Sequence, residues 1–462
     1  MNQTLATAVT THSAWTALHC AAMCGRNEVV QQLMSFNPAL FDMLTRPDGH
    51  SALHIAAAKG KNDVVHTLLN LRPELLTQVT RDRGLSILHL AALNGHFSLV
   101  EELIAKDRNL TRLVSTDDSF SPLYCAAING DVQLVELLIK ADPSSVDATT
   151  RDGRNALHFA CLGGKETVVA MILSRAPHLL YARSKNQSSA LHCAAMRGHT
   201  GVIKQLIDLV KPNQQDECKL LQHANDPQIQ TLLDATTTSA NKCAEIWSMI
   251  QNIRRDNYFN SNYLGFINGV RGDGRTALHM AANEGHTDAV IQLLQASPSL
   301  LIMRDNKGDT ALHCAAANGH LFIVDLLLLA KPDMICFTNN SENTILHLVT
   351  SSVMLDQNFL NSIWQKKPQY LRAVNTDQQT PFHVALCKQN MSAIELFQWP
   401  LTFDDITDAL QQTNQIYTQF EQVMRDQCVS LNSSLLPDIT NIVFEYLGFD
   451  NTPKNSKKQK TN

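Results

Sequence analysis

The sequence has no apolar run approaching the roughly 18–20 residues that a bilayer-spanning helix needs, so no membrane span is expected. Met1 to His12 show no basic start leading into an apolar stretch, and no export leader is expected either. Positive charge is not in excess. Lys and Arg number 38 against 43 Asp and Glu, a formal net charge of −5, which removes the global basic field that would hold a chain on nucleic acid or anionic lipid. The 11 cysteines include no C-x-x-C pair, and a chain of 462 residues needs no disulfide staples, so a reducing, cytoplasmic compartment is expected. G-x-G-x-x-G, G-x-x-x-x-G-K-[ST] and H-E-x-x-H are all absent, which leaves nucleotide and zinc chemistry without a recognisable site. What is present is 44% hydrophobic and 18% charged, enough apolar material for packed cores.

That material is periodic. Leu18-His19, Leu53-His54, Leu88-His89, Leu123-Tyr124, Leu157-His158 and Leu191-His192 recur every 34 or 35 residues. Leu278-His279, Leu312-His313, Leu346-His347 and Phe382-His383 follow at steps of 34, 34 and 36, giving ten units, six and then four. Between the blocks the step from Leu191 to Leu278 is 87, one unit length plus about 53 residues of insertion or decayed repeat.

Each unit carries the same local signals. Two positions before the Leu or Phe stands Thr16, Ser51, Ser86, Ser121, Asn155, Ser189, Thr276, Thr310, Thr344 or Thr380, side chains that accept from the free N–H groups opening a helix. Seven positions after it, Gly25, Gly60, Gly95, Gly130, Gly164, Gly198, Gly285 and Gly319 offer the left-handed conformation that ends a helix of about two turns. A second helix follows, its stripe read from Val29/Val30/Leu33/Met34, Val64/Val65/Leu68/Leu69 and their copies. Prolines such as Pro38, Pro73, Pro143 and Pro177 are expected to end it and open an extended loop, which turns at Asp48-Gly49, Arg83-Gly84, Asp152-Gly153 or Asp273-Gly274 before the next cap.

Read together, Thr276-Ala277-Leu278-His279-Met280-Ala281-Ala282-Asn283-Glu284-Gly285-His286 resembles the T-P-L-H-x-A-A-x-x-G-H hallmark of the ankyrin repeat. The units run longer than the usual 33 residues and are similar to the long ankyrin repeats of many plant and bacterial-effector proteins. The resemblance implies an all-α fold, an α-solenoid of about ten ankyrin repeats with β-hairpin-type loops, interrupted by one helical insertion and closed by C-terminal helices. The expected divisions are a tail at 1–12, repeats at 13–210, an insertion or degenerate repeat at 211–270, repeats at 271–400, a helical cap at 401–449 and a polar tail at 450–462.

Eighteen histidines and 11 cysteines invite a catalytic or metal reading, but their placement argues for structure. Nine histidines belong to Leu-His or Phe-His, where the resemblance implies that the imidazole braces the cap and the adjoining loop; His96, His199, His286 and His320 follow the inter-helix Gly and are expected to serve that turn. Cys20, Cys125, Cys193 and Cys314 share one small-residue packing slot. No catalytic residue, metal ligand or cofactor is assigned.

Recognition remains. At the end of the first helix Met23, Leu93, Ile128, Leu162 and Met196 form a line of large apolar side chains, read here as a partner-binding stripe on the concave face of the array. The segment Leu435 to Leu447 is similar to the opening of an F-box, and by that resemblance Leu436, Pro437, Ile439, Ile442, Val443 and Leu447 would dock on a ubiquitin-ligase adaptor. The other reading of this segment is a terminal capping helix. The expected function is thus a non-catalytic scaffold, a monomer, binding partner proteins and no nucleic acid, in the cytoplasm or, for a delivered bacterial effector, the host cytosol. The alternatives are a substrate adaptor for a cullin-type ubiquitin ligase, and an enzyme hidden in the insertion or the C-terminal region.

Overall fold

The computed structural model describes residues 9–10, 12–211, 263–352, 368–388, 390 and 393. Residues 212–262, with an expected helical stripe at Ile246, Trp247, Ile250 and Ile253, lie outside them, as do the C-terminal helices expected from Leu401 onward. The chain divides into two compact units, Met1–Ala277 with Ile291–Ser297, and Leu278–Val290 with Pro298–Asn462. The described residues form α-helices and short 3-10 turns with no strand; one isolated bridge pairs Val79 with Ser86. Each unit is an α-solenoid of helix pairs.

In the first unit the first helices are Ala17–Cys24, Ala52–Ala58, Ile87–Leu93, Pro122–Asn129, Ala156–Leu162 and Ala190–Met196. They are short because they are capped at both ends. Ser51, in extended conformation, accepts the His54 N–H at one end, and Gly60 turns at φ +60° just beyond the other. The second helices, Asn27–Phe36, Asn62–Leu71, Phe97–Lys106, Val132–Ala141, Glu166–Arg175 and Thr200–Val210, bury the expected stripe except at Val29, which is exposed, and Ile104, which is half-buried. Val64, Val65, Leu68 and Leu69 are all buried, each burial contributing about 1.5–3 kcal/mol. Each first helix packs against its own second helix and, from Ala17–Cys24 to Ala156–Leu162, against the first helix of the next pair.

Two local expectations need correction. Proline does not open an extended loop; it opens a 3-10 turn, at Pro38–Asp42, Pro73–Thr77, Pro143–Val146 and Pro177–Tyr181. The ring's fixed φ suits a first helical position, and the turn folds apolar side chains such as Leu40, Leu75 and Leu179 back into the core. Nor is every cap alike. Ser121 makes no side-chain cap bond, and the position that elsewhere holds the bracing His is Tyr124, which stacks on Phe159 with ring centroids 4.9 Å apart, while Phe120 meets both edge-on.

Between the 3-10 turn and the next cap runs a finger of extended backbone, and successive fingers are joined by main-chain bonds. Thr116 N donates to Arg83 O, Arg151 N to Asp118 O and Lys185 N to Asp152 O, at 2.8–2.9 Å. The series does not stop at the long insertion: Gly272 N donates to Asn186 O at 2.8 Å, so finger 270–275 lies directly on finger 184–188. The helix Tyr263–Ile267 leads into finger 270–275, with Tyr263, Leu264, Phe266 and Ile267 buried and Phe266 edge-on to Tyr181.

In the second unit Ala311–Ala317 pairs with Leu321–Ala330, followed by the first helices Ile345–Ser351 and Pro381–Cys387. Its fingers are joined likewise, Asn340 N donating to Lys307 O and Thr376 N to Ser341 O. The pair Ala277–Asn283 and Thr287–Ala296 contains the boundary between the units.

Candidate partner-binding surface

The histidines decide which surface is free to bind, because they lie on the side of the first helices that meets the fingers. His54 Nδ1 accepts the Ser51 backbone N–H at 3.3 Å, and the same bond recurs from Ser86 to His89, Asn155 to His158, Ser189 to His192 and Thr310 to His313. A backbone N–H can only donate, so Nδ1 is unprotonated and the proton sits on Nε2. From there it is donated to a carbonyl of the next finger: His89 to Phe120 O at 2.8 Å, His158 to Ser188 O at 3.0 Å, His192 to Arg275 O at 3.2 Å and, in the second unit, His279 to Asp309 O at 3.0 Å. Each such imidazole thus braces its own cap and the following finger.

Burial keeps them neutral. It lowers the His54, His89 and His158 pKa values to about 4 and that of His192 to about 3, against about 6.5 in open chain. A neutral ring whose two nitrogens are both committed has no lone pair for a metal or proton in transit. Among the described residues no group of three or more His, Cys, Asp and Glu is arranged to hold a metal ion.

The Gly-His histidines act differently from expectation. His96 Nε2 donates to Ala58 O and His199 Nε2 to Leu162 O, each at 3.0 Å, and His320 to Asn283 O in the second unit. They tie the end of the preceding first helix rather than their own turn. The close approach explains one glycine: a Cβ on Gly60 would stand 2.5 Å from His96 Nδ1.

The cysteines are structural as well where they are enclosed. Burial pushes the Cys193 thiol up to about 11 and the Cys125 thiol higher still, far from the thiolate a nucleophile requires. Cys20 departs from the expected packing slot and is exposed. That slot packs against the preceding repeat, as Phe159 does against Tyr124, and no described residue covers it in the first repeat. Cys218, Cys243 and Cys428 lie outside the described residues.

What the bracing leaves accessible is the far end of the first helices and the finger tips. Met23 and Leu93 are exposed, 38% and 39%, while Ile128, Leu162 and Met196 are half-buried. At two of them the following repeat fixes the backbone: Asn129 Nδ2 donates to Leu93 O at 2.8 Å, and His199 to Leu162 O. The five residues occupy equivalent positions at the helix ends. Leu436, Pro437, Ile439, Ile442, Val443 and Leu447 lie outside the described residues.

Sequence reasoning missed Arg183, whose Nη1 donates to Gln187 O at 3.1 Å in its own finger and to Val270 O at 3.3 Å in the next. Arg304 does the same in the second unit, reaching Gly308 O and Thr338 O. The signal was an arginine six positions before the cap residues Ser189 and Thr310.

No described helix is long and apolar enough to cross a membrane. A family profile described as Ankyrin repeats (3 copies) matches residues 3–78, 71–147, 88–181, 126–216 and 254–338, together well over half of the chain. No curated protein matches the chain.

Proposed function

We propose a function from the premise that this chain belongs to the ankyrin-repeat family, whose repeats are protein–protein interaction modules: it is a non-catalytic scaffold that captures a partner protein through the concave side of its array. The observation that carries the reading is the commitment of the imidazoles. The imidazoles are spent on holding caps and fingers, and the ends of the first helices present apolar side chains to a partner. A pre-organised surface binds without much loss of ordering entropy, which suits recognition. Met23, Leu93, Ile128, Leu162 and Met196 are the residues assigned to the contact.

The test is capture of partners by the full chain and by Leu93→Arg plus Ile128→Arg. Loss of the captured proteins with an unchanged melting temperature supports the stripe; an unchanged set of partners overturns it. A second reading rests on the segment Leu435 to Leu447, whose spacing is similar to the start of an F-box. In it Leu436, Pro437, Ile439, Ile442, Val443 and Leu447 recruit a ubiquitin-ligase adaptor to whatever the array holds. Co-purification of the adaptor that survives Leu436→Asp plus Ile439→Asp would remove that reading. A cytoplasmic setting, that of the host for a delivered effector, accords with both.

A further inference from the structure

Charge is spread unevenly along the fingers of the first unit. The fourth finger carries Asp117 and Asp118 and no cation. The fifth carries Arg151 and Arg154 against Asp152, the sixth Arg183 and Lys185 with no acid, and the next, beyond the insertion, Arg271 and Arg275 against Asp273. In sequence the last two are separated by more than 80 residues. In the fold they are neighbours, joined by Gly272 N to Asn186 O, Arg183 Nη1 to Val270 O and His192 Nε2 to Arg275 O. Six cations and two carboxylates thus share three adjacent fingers, a local balance of +4 on a chain whose formal net charge is −5.

The cations outnumber the carboxylates on these fingers three to one. Arg271 lies 3.7 Å from Asp273, but among the described residues Arg151, Arg154, Arg183 and Lys185 form no ion pair. Their mutual closeness shows on the histidines behind them: besides burial, which dominates, Arg154 and Arg183 both lower the pKa of His158, and Arg183 and Arg271 that of His192. Like charges gathered at a rigid surface in excess of their counter-charges favour an anionic partner.

We infer that the three adjacent fingers 150–154, 183–188 and 270–275 form a basic platform that docks an acidic segment, rich in Asp and Glu, of a partner protein. The inference rests on the scaffold reading and names the chemistry of the partner. A nucleic acid fits less well. The platform is three fingers wide and the acidic fourth finger bounds it on one side, so a long polyanion would run onto Asp117 and Asp118.

The experiment uses the full chain and a fluorescent poly-glutamate peptide, followed by anisotropy. Wild type binds it, with affinity falling as salt rises from about 50 to about 200 mM. Arg151→Glu plus Lys185→Glu, both exposed and with no side-chain bond to lose, weakens binding about tenfold. Arg46→Glu plus Arg81→Glu, on other fingers of the unit, changes it by less than about twofold. No binding by wild type, equal binding by the two double variants, or tighter binding of a single-stranded DNA oligonucleotide of the same charge overturns the platform. If the peptide fails while Leu93→Arg plus Ile128→Arg still abolishes partner capture, the platform falls and the scaffold stands; if neither set of variants has an effect, both fall.

Discussion

Two junctions in the first unit differ in how the chain reaches them and hardly at all in how they are made. Between the fifth and sixth fingers the polypeptide is contiguous; between the sixth and the next it leaves after Val210 for the insertion and returns at Tyr263. Lys185 N to Asp152 O and Gly272 N to Asn186 O are both 2.8 Å, and His158 to Ser188 O and His192 to Arg275 O are 3.0 and 3.2 Å. At the contiguous junction Leu179 and Leu180 fill the core, and at the interrupted one Phe266 and Ile267 do. A repeat unit is therefore defined by what its cap, imidazole and finger touch rather than by its length. An excursion between Val210 and Tyr263 is tolerated because only the residues that re-enter the core have to be restored.

The equivalence is open to breaking at its core. Phe266→Ala is expected to cost about 3–5 kcal/mol, as much as Leu179→Ala at the contiguous junction, with about 2–5 kcal/mol expected there. Urea denaturation with hydrogen exchange at fingers 184–188 and 270–275 reads both. A near-zero cost for Phe266→Ala would mean that the returning helix only tethers the chain.

Acidification sharpens the comparison further. His158 and His192 have folded pKa values of about 4 and about 3, below the open-chain value of about 6.5. The unfolded chain therefore binds more protons, and the stability these rings contribute is complete above about pH 6.5 and declines as pH falls. The decline is about 1.4 kcal/mol per pH unit for each ring, about 2 kcal/mol by pH 5, and continues to about pH 4 for His158 and about pH 3 for His192. His158→Asn and His192→Asn should each flatten the pH dependence of the urea midpoint by that slope. A flattening by the first alone would show that the interrupted junction is not braced by its histidine.

How much of this could be read in the chain follows the range of each interaction. Thr16, Ser51 and their copies, the glycines from Gly25 to Gly319 and the stripes of the second helices were legible because cap, turn and period are settled within a few residues. The 3-10 turns were not, since Pro73 stops one helix and starts another with the same ring. The acceptors of the histidine Nε2 atoms lie 24 to 83 residues away along the chain, and for the His96 type the direction was misread. The basic platform was least legible of all. Arg183 and Arg271 become neighbours only through the bonds from finger 184–188 to finger 270–275, so the finger charges looked merely mixed when read in order.

The smallest effect tests the backbone of the two fingers. Gly153 and Gly274 hold equivalent turn positions at φ +77° and +79°, a region in which an L side chain is strained, and Lys185 N stands 3.1 Å from where a Gly153 Cβ would be. Alanine at either is expected to cost about 1–2 kcal/mol. Gly272 lies two residues earlier in the interrupted finger, where the contiguous finger has Arg151. A Cβ there would meet nothing closer than Asn186 O at 3.5 Å, an ordinary contact, and its φ is outside the left-handed region. Gly272→Ala should therefore leave the urea midpoint within about 0.5 kcal/mol of wild type while both turn glycines respond alike. A larger loss at Gly272 than at Gly274 would show that the interrupted finger keeps the register of its neighbour but not its backbone path.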